Sequence, residues 1–356
     1  MAGSLAGSIV ILCVSLSEIE FCMTMRAYFL GLLSALSLLT SCQDQPKNQP
    51  EREAVRNLDS LVKKYPDSVP LLVEQGNHYL EGYFYSEALN LGARAFRLDS
   101  NNIEARFLYA NALNNIQGRS VVDVAQAQNH FLKVVEKQPR NKKAYVALAS
   151  TYAQQGEFDR AFEYTNKVLR MDARYRDAYI LKGSTYLALG KRDLAKSSYE
   201  TAIQQDAEFY EGYMALAYLY SEDGDPVALE YFRTAATLKP SSTDAKYGVA
   251  YSYQQQEKFE EALASYRDLL QLNPEFHLAL FNQAYIKQFH QDQLDSAIYF
   301  YSSAIDLQPE FVKAWHNMGL CYVSKGDKTN ALKCFGKALK YNPDYELSRK
   351  EADKLR

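Results

Sequence analysis

The sequence predicts an all-α chain built from stacked pairs of short helices, and three observations carry that expectation. Small residues recur at Gly76, Ala110, Ala149, Gly183, Ala217, Ala250, Ala284 and Gly319, 33 to 35 residues apart except for one interval of 39. A second row, Ala88, Ala127, Ala161, Ala195, Ala228, Ala262, Ala297 and Ala331, is alanine throughout. Tyrosines follow most of the first row by three places (Tyr79, Tyr152, Tyr186, Tyr220, Tyr253, Tyr322). Aromatics follow most of the second by four (Phe131, Tyr199, Phe232, Tyr266, Tyr301, Phe335). Both spacings place the aromatic on the same helix face as its small residue.

From the N-terminus, residues 27–39 form an apolar run behind Arg26, too short for a permanent span and suited to a signal-peptide core. It ends in Leu39-Thr40-Ser41-Cys42, which resembles the bacterial lipobox and implies cleavage before Cys42 and attachment of diacylglycerol to its thiol. Residues 1–41 are thus read as a leader plus a lipoprotein signal peptide. The first 24 residues hold no basic residue and carry Glu18 and Glu20, so Met25, or alternatively Met23, is the expected start. Residues 42–50 are polar and contain prolines, as expected of a flexible tether. Gln43 stands where the enterobacterial inner-membrane retention signal has Asp, which favours the outer membrane, facing the periplasm.

Residues 51–68, with Ala54, Leu58, Leu61 and Pro66, read as the second helix of a partial repeat. In the body, Gly156, Gly190, Gly224 and Gly326 mark turns between helices. Small or aliphatic residues follow the second alanine row by seven places, and Pro139, Pro240, Pro274, Pro309 and Pro343 stop the second helix of five units, since proline lacks an N–H and clashes with the preceding turn. This in-register pattern resembles the tetratricopeptide repeat over residues 69–344, as eight units. The resemblance implies a right-handed superhelical solenoid whose first helices line a concave groove. The second unit departs from it by about five extra residues around Gly118–Val124, and Lys287 replaces the usual tyrosine in the seventh. Residues 345–356 are polar enough to be a terminal capping helix.

Composition narrows the partner. A formal net charge of −3 offers no excess of positive charge for a phosphate backbone, so nucleic acid is not an expected partner. Membrane contact is expected through the lipid on Cys42 alone. Tyrosine is abundant, 28 residues against 17 phenylalanines and one tryptophan, and suits half-buried sites with its apolar ring and polar tip.

On the first helices, the residues three before and one after the small residue project together. They are Phe107 and Asn111, Val146 and Ser150, Ile180 and Ser184, Met214 and Tyr218, Tyr247 and Tyr251, Phe281 and Tyr285, and His316 and Leu320. Met214, Tyr218, Tyr247, Tyr251, Phe281, Tyr285 and His316 form an aromatic-rich ladder suited to an extended or helical peptide, with Glu211, Asp244 and Glu222 favouring a peptide with some positive charge. The competing reading is that these rings pack against the next repeat. The carboxylate clamp of chaperone-binding repeats is not assembled by any three consecutive units; Asn282, Lys313 and Asn317 are fragments of it.

No nucleophile, phosphate-loop or dinucleotide motif occurs, and neither the five histidines nor the five cysteines show zinc-ligand spacing, so neither catalysis nor a metal or other cofactor is expected. Cys321 and Cys334 are expected as buried free thiols, with a disulfide the alternative in an oxidising periplasm. These features suggest a lipid-anchored scaffold binding a protein or peptide in an envelope assembly. A glycan-engaging accessory protein and a purely structural subunit are the alternatives.

Overall fold

The computed structural model describes residues 58–356, which contain eighteen helices and no strand. Cys42, the leader, the tether and residues 51–57 lie outside the described residues. The described residues form two compact units, one ending at Ala207 and one running from Glu208 to Arg356.

The first unit holds α1 (58–64), α2 (Val69–Glu81), α3 (Tyr85–Leu98), α4 (Ile103–Asn115), α5 (Val121–Lys137), α6 (Lys142–Gln154), α7 (Phe158–Met171), α8 (Arg176–Ala188) and α9 (Arg192–Gln205). Helices pair as α2 with α3, α4 with α5, α6 with α7 and α8 with α9, and the second helix of each pair packs on the first helix of the next. Val62 of α1 buries itself among Leu72, Ala95 and Ala105. The main core gathers Ala110, Ala127, Phe131, Leu148, Ala149 and Ala161. Alanine at these crossings lets backbones approach closely, and the neighbouring ring fills the space beside it.

The second unit holds α10 (Tyr210–Glu222), α11 (Ala228–Leu238), α12 (Thr243–Gln255), α13 (Phe259–Leu272), α14 (His277–Phe289), α15 (Leu294–Leu307), α16 (Val312–Ser324), α17 (Lys328–Tyr341) and α18 (Glu346–Leu355). They pair in the same way, and α18 packs on α17. Ala352 of α18 covers Ala331 and the fully buried Phe335. Phe232, Tyr266 and Tyr301 are also fully buried, each contributing roughly 1.5–3 kcal/mol of burial energy.

Local chemistry sets the helix ends. The prolines at 139, 240, 274, 309 and 343 each stand two residues past the end of a second helix. Asn102, Asn141 and Ser242 cap α4, α6 and α12 by accepting from the backbone N–H three residues on. The insertion of the second repeat ends in a capping box. There Ser120 Oγ accepts from Asp123 N–H at 3.2 Å, and Asp123 Oδ2 accepts from Ser120 N–H at 2.7 Å.

Candidate functional site

The second unit takes the proposed aromatic ladder into its packing. Met214, Tyr218, Tyr251, Phe281, Tyr285 and His316 are all buried, and Tyr247 alone is half-buried. Tyr218 meets Phe232 edge-on at 5.4 Å, and Phe281 lies 5.5 Å from Tyr301 and 4.8 Å from Phe311. Tyr285 packs on Phe289 at 4.7 Å. His316 sits between Phe335 and Tyr345, shares a 2.9 Å hydrogen bond with Ser348 Oγ, and has its pKa pushed down to about 4 by burial. The expectation that these side chains line an open groove is therefore corrected. Tyr218 is covered by the second helix of its own repeat, Tyr285 by its own helix, and Phe281 by both its own repeat and the next, which removes ring faces that a peptide or sugar would stack on. Tyr247 stacks on Tyr251 at 6.0 Å and receives a 2.9 Å hydrogen bond from Asn282.

A hydrogen-bond relay runs through the same helices in register. Tyr266 OH donates to Gln254 Oε1 in its own repeat at 2.8 Å and accepts from Asn282 Nδ2 of the next at 3.0 Å. One repeat on, Tyr301 OH donates to Gln288 Oε1 at 2.8 Å and accepts from Asn317 Nδ2 at 3.2 Å. Asn282 and Asn317 thus stitch repeats together, where the sequence suggested fragments of a clamp. Burial raises the Tyr266 pKa well above the usual phenol value, so the hydroxyl stays protonated and able to donate.

The first unit differs. Phe107, Asn111, Val146, Ser150 and Ile180 keep part of their surface, while Ser184 is buried. Among them lies a polar cluster that spacing did not reveal. Asn115 Nδ2 donates to Asn111 O and Oδ1, both at 2.8 Å, and Gln154 Nε2 donates to Ser150 Oγ at 3.1 Å. Arg119, from the insertion, donates through Nε and Nη2 to Gln154 Oε1 at 3.3 and 3.2 Å. Burial lowers the Arg119 pKa from its usual value, the Tyr85 phenol acting in the opposite direction.

Cys321 and Cys334 are free and buried, and burial pushes their thiols up to about 12 and about 11. Such groups are poor nucleophiles. Among the described residues no group of three or more His, Cys, Asp or Glu side chains is arranged to hold a metal ion. Among those residues, too, no helix is long and apolar enough to cross a membrane.

Comparison with known proteins agrees with the repeat geometry. Family models described as tetratricopeptide repeat match residues 123–176 and 247–310, residues 177–209, and residues 312–345, together just over half of the chain. The chain belongs to the tetratricopeptide repeat family. Similar curated proteins include the tetratricopeptide repeat-containing protein trd-1 of Caenorhabditis elegans, 30% identical over 118 residues. That alignment takes in 33% of this chain and 15% of trd-1. The chloroplastic PYG7 of Arabidopsis thaliana is 31% identical over 77 residues, 22% of this chain and 26% of PYG7. The chain therefore matches only a minor part of either relative. Among solved structures, a chain of the APC/C hetero-tetramer Cut9-Hcn1 aligns with TM-score 0.55 at 17% identity, over 92% of this chain and 62% of that one. The C-terminal part of a tetratricopeptide repeat-containing protein from Cytophaga hutchinsonii aligns with TM-score 0.55 at 18% identity, over 68% and 98%. At these identities the likeness speaks for the fold alone.

Proposed function

We propose that this tetratricopeptide repeat protein is a binding scaffold with no chemistry of its own, and that it holds an extended segment of a partner protein on the first-helix face of its second to fourth repeats. The observation that carries this reading is the contrast between the two units. The first leaves Phe107, Val146 and Ile180 partly exposed beside the polar Asn111 and Ser150, whereas among the corresponding side chains of the second only Tyr247 and Leu320 keep part of their surface. Alternating apolar and amide groups on a rigid face suit a peptide, whose side chains they bury and whose backbone they hydrogen-bond. Because the repeats are preformed, little ordering entropy opposes binding.

Within the same proposal the scaffold works at a bacterial envelope, anchored through lipid on Cys42 and reaching from the outer membrane into the periplasm on residues 43–50. The support is the order of Arg26, the apolar run 27–39, the Leu39–Cys42 motif and a polar tether. Growth with a labelled fatty acid tests the anchor: label should enter the wild-type protein and be lost in Cys42→Ala. The binding face is tested by placing a photo-crosslinking residue at Val146 or Ile180 in intact cells, with Tyr299, which is well exposed on α15, as control. A discrete crosslinked partner from the first two positions and none from Tyr299 is the expected result. Crosslinks from Tyr299 alone would move the binding surface to the second helices.

A further inference from the structure

The repeat register brings the last turns of the second helices, and the loops that follow them, to one edge of the first unit. Three contacts link successive junctions along it: Arg94 Nη2 with Asp67 Oδ1 at 3.2 Å, Gln138 Nε2 with Glu104 Oε1 at 3.1 Å, and Lys142 Nζ with Asp172 Oδ2 at 2.6 Å. This edge is basic. Lys63, Arg97, Lys137, Arg140 and Arg170 are exposed, and their side chains enter no hydrogen bond or ion pair among the described residues. Of the acids at the same junctions, Asp67 is paired with Arg94 and Asp172 with Lys142, which leaves Asp99 and Glu136 to offset five cations.

Apolar side chains stand between the charges. Tyr65 is 50% exposed with the Lys64 ammonium 5.2 Å from its ring, and Leu98 and Met171 are 45% and 39% exposed. An anionic lipid surface holds such an edge by two effects: the cations meet phosphate, and the apolar groups enter the headgroup layer. Leu272 and Leu307, which like Leu98 and Met171 end second helices, are exposed in the second unit, so apolar surface alone does not set the first unit apart. Charge does. At the repeat position where the first unit has Arg140 and Arg174, the second has Glu275, Glu310 and Asp344. Residues 58–207 carry 20 Lys and Arg against 17 Asp and Glu, and residues 208–356 carry 16 against 21, so the positive charge lies in the half of the chain that follows Cys42. Residue 58 comes 16 residues after Cys42, a reach of at most about 55 Å.

We propose that this edge docks on the anionic headgroups of the membrane that holds the Cys42 lipid, so that the first unit itself meets the bilayer surface. The contact uses residues distinct from Val146 and Ile180 of the peptide face. This inference rests on the anchoring reading above.

The test uses the full chain extracted from bacterial envelopes and reconstituted with vesicles of phosphatidylcholine, alone or mixed with phosphatidylglycerol, some lipids carrying a headgroup nitroxide. A fluorophore is attached at Met171→Cys or, as control, at Leu307→Cys; the native Cys321 and Cys334 thiols are buried. Flotation with phosphatidylcholine alone reports the anchor, because the cations gain nothing there. With phosphatidylglycerol present, the fluorophore at 171 should be strongly quenched and the one at 307 should not. Half-molar sodium chloride should relieve the quenching. Each cation near an anionic surface strengthens attachment about fivefold, so Arg140→Glu with Arg170→Glu should relieve it as well. Equal quenching at 171 and 307, or quenching that survives both salt and charge reversal, would overturn the membrane edge and leave the anchor standing. Failure to float with phosphatidylcholine would refute the anchor; flotation with phosphatidylglycerol and quenching at 171 would then still uphold the edge, and their absence would overturn both.

Discussion

Gly248 stands where a Cβ would come within 2.3 Å of the fully buried Phe232 ring, and Gly183 and Gly319 meet Tyr199 and Phe335 in the same way, at 2.4 and 2.6 Å. The small residues of the repeat are therefore spaces for particular rings. Gly248→Ala gains about 1 kcal/mol of helix propensity but overpacks the ring at about 1–3 kcal/mol, so a net loss is expected in urea unfolding. Adding Phe232→Leu should recover part of it. His316 sets a pH dependence. Its pKa is about 4 in the folded chain against the ordinary 6.5, so the unfolded chain takes up a proton first. Stability is then full above about pH 7 and falls as the pH drops through 6.5 toward 4, by roughly 3 kcal/mol in all. Urea midpoints measured across that window should show the slope, and His316→Gln should flatten it. The periodicity revealed Gly183 and Gly319 but not Gly248; the burial of His316 came only from α18 and Tyr345 closing over it.

At the scale of elements, every pair of helices turns through a residue with positive φ. Gly118, Gly156, Gly190, Gly224 and Gly326 do so freely, while Tyr83, Glu257 and Asp292 do so at φ 62°, 57° and 52°. Four of these turns were legible from their glycines. The non-glycine turns were not, because the flanking helices impose a conformation that the residue itself disfavours. Glu257→Gly should therefore stabilise the chain by about 1 kcal/mol, less the extra freedom glycine brings to the unfolded state, seen as a higher midpoint of thermal unfolding. The capping helix α18 docks through Ala352, buried against Ala331 and Phe335, and through Ser348, buried against His316. Ala352→Asp would bury a carboxylate there and should cost at least about 2 kcal/mol.

At the scale of the whole molecule, each repeat touches its neighbours, so perturbations should stay local. Amide hydrogen exchange in Ala352→Asp should speed up in α16 to α18 and remain at wild-type rates in α2 to α9; acceleration throughout would mean one cooperative body. Neighbouring repeats should instead couple. Tyr266 and Asn282 share a 3.0 Å hydrogen bond, so Tyr266→Phe and Asn282→Ala should give a non-additive double-mutant cycle of about 0.5–3 kcal/mol.

The helical class, the number of pairs, most turns and the stops of the second helices were readable from the sequence alone, because spacing along a helix dictates which residues share a face, and glycine and proline act on their own backbone. Exposure on the first-helix face was decided only in three dimensions. Tyr218, Tyr251, Phe281 and Tyr285 have the composition of a ligand ladder, yet each is buried, while Phe107, Val146 and Ile180 keep part of their surface. A residue's type states what it can bury or bond; how closely the next helix approaches decides whether it does so within the chain or with a partner. Arg119 follows the same rule, since its meeting with Gln154, 35 residues away, depends on a turn whose direction local sequence does not specify.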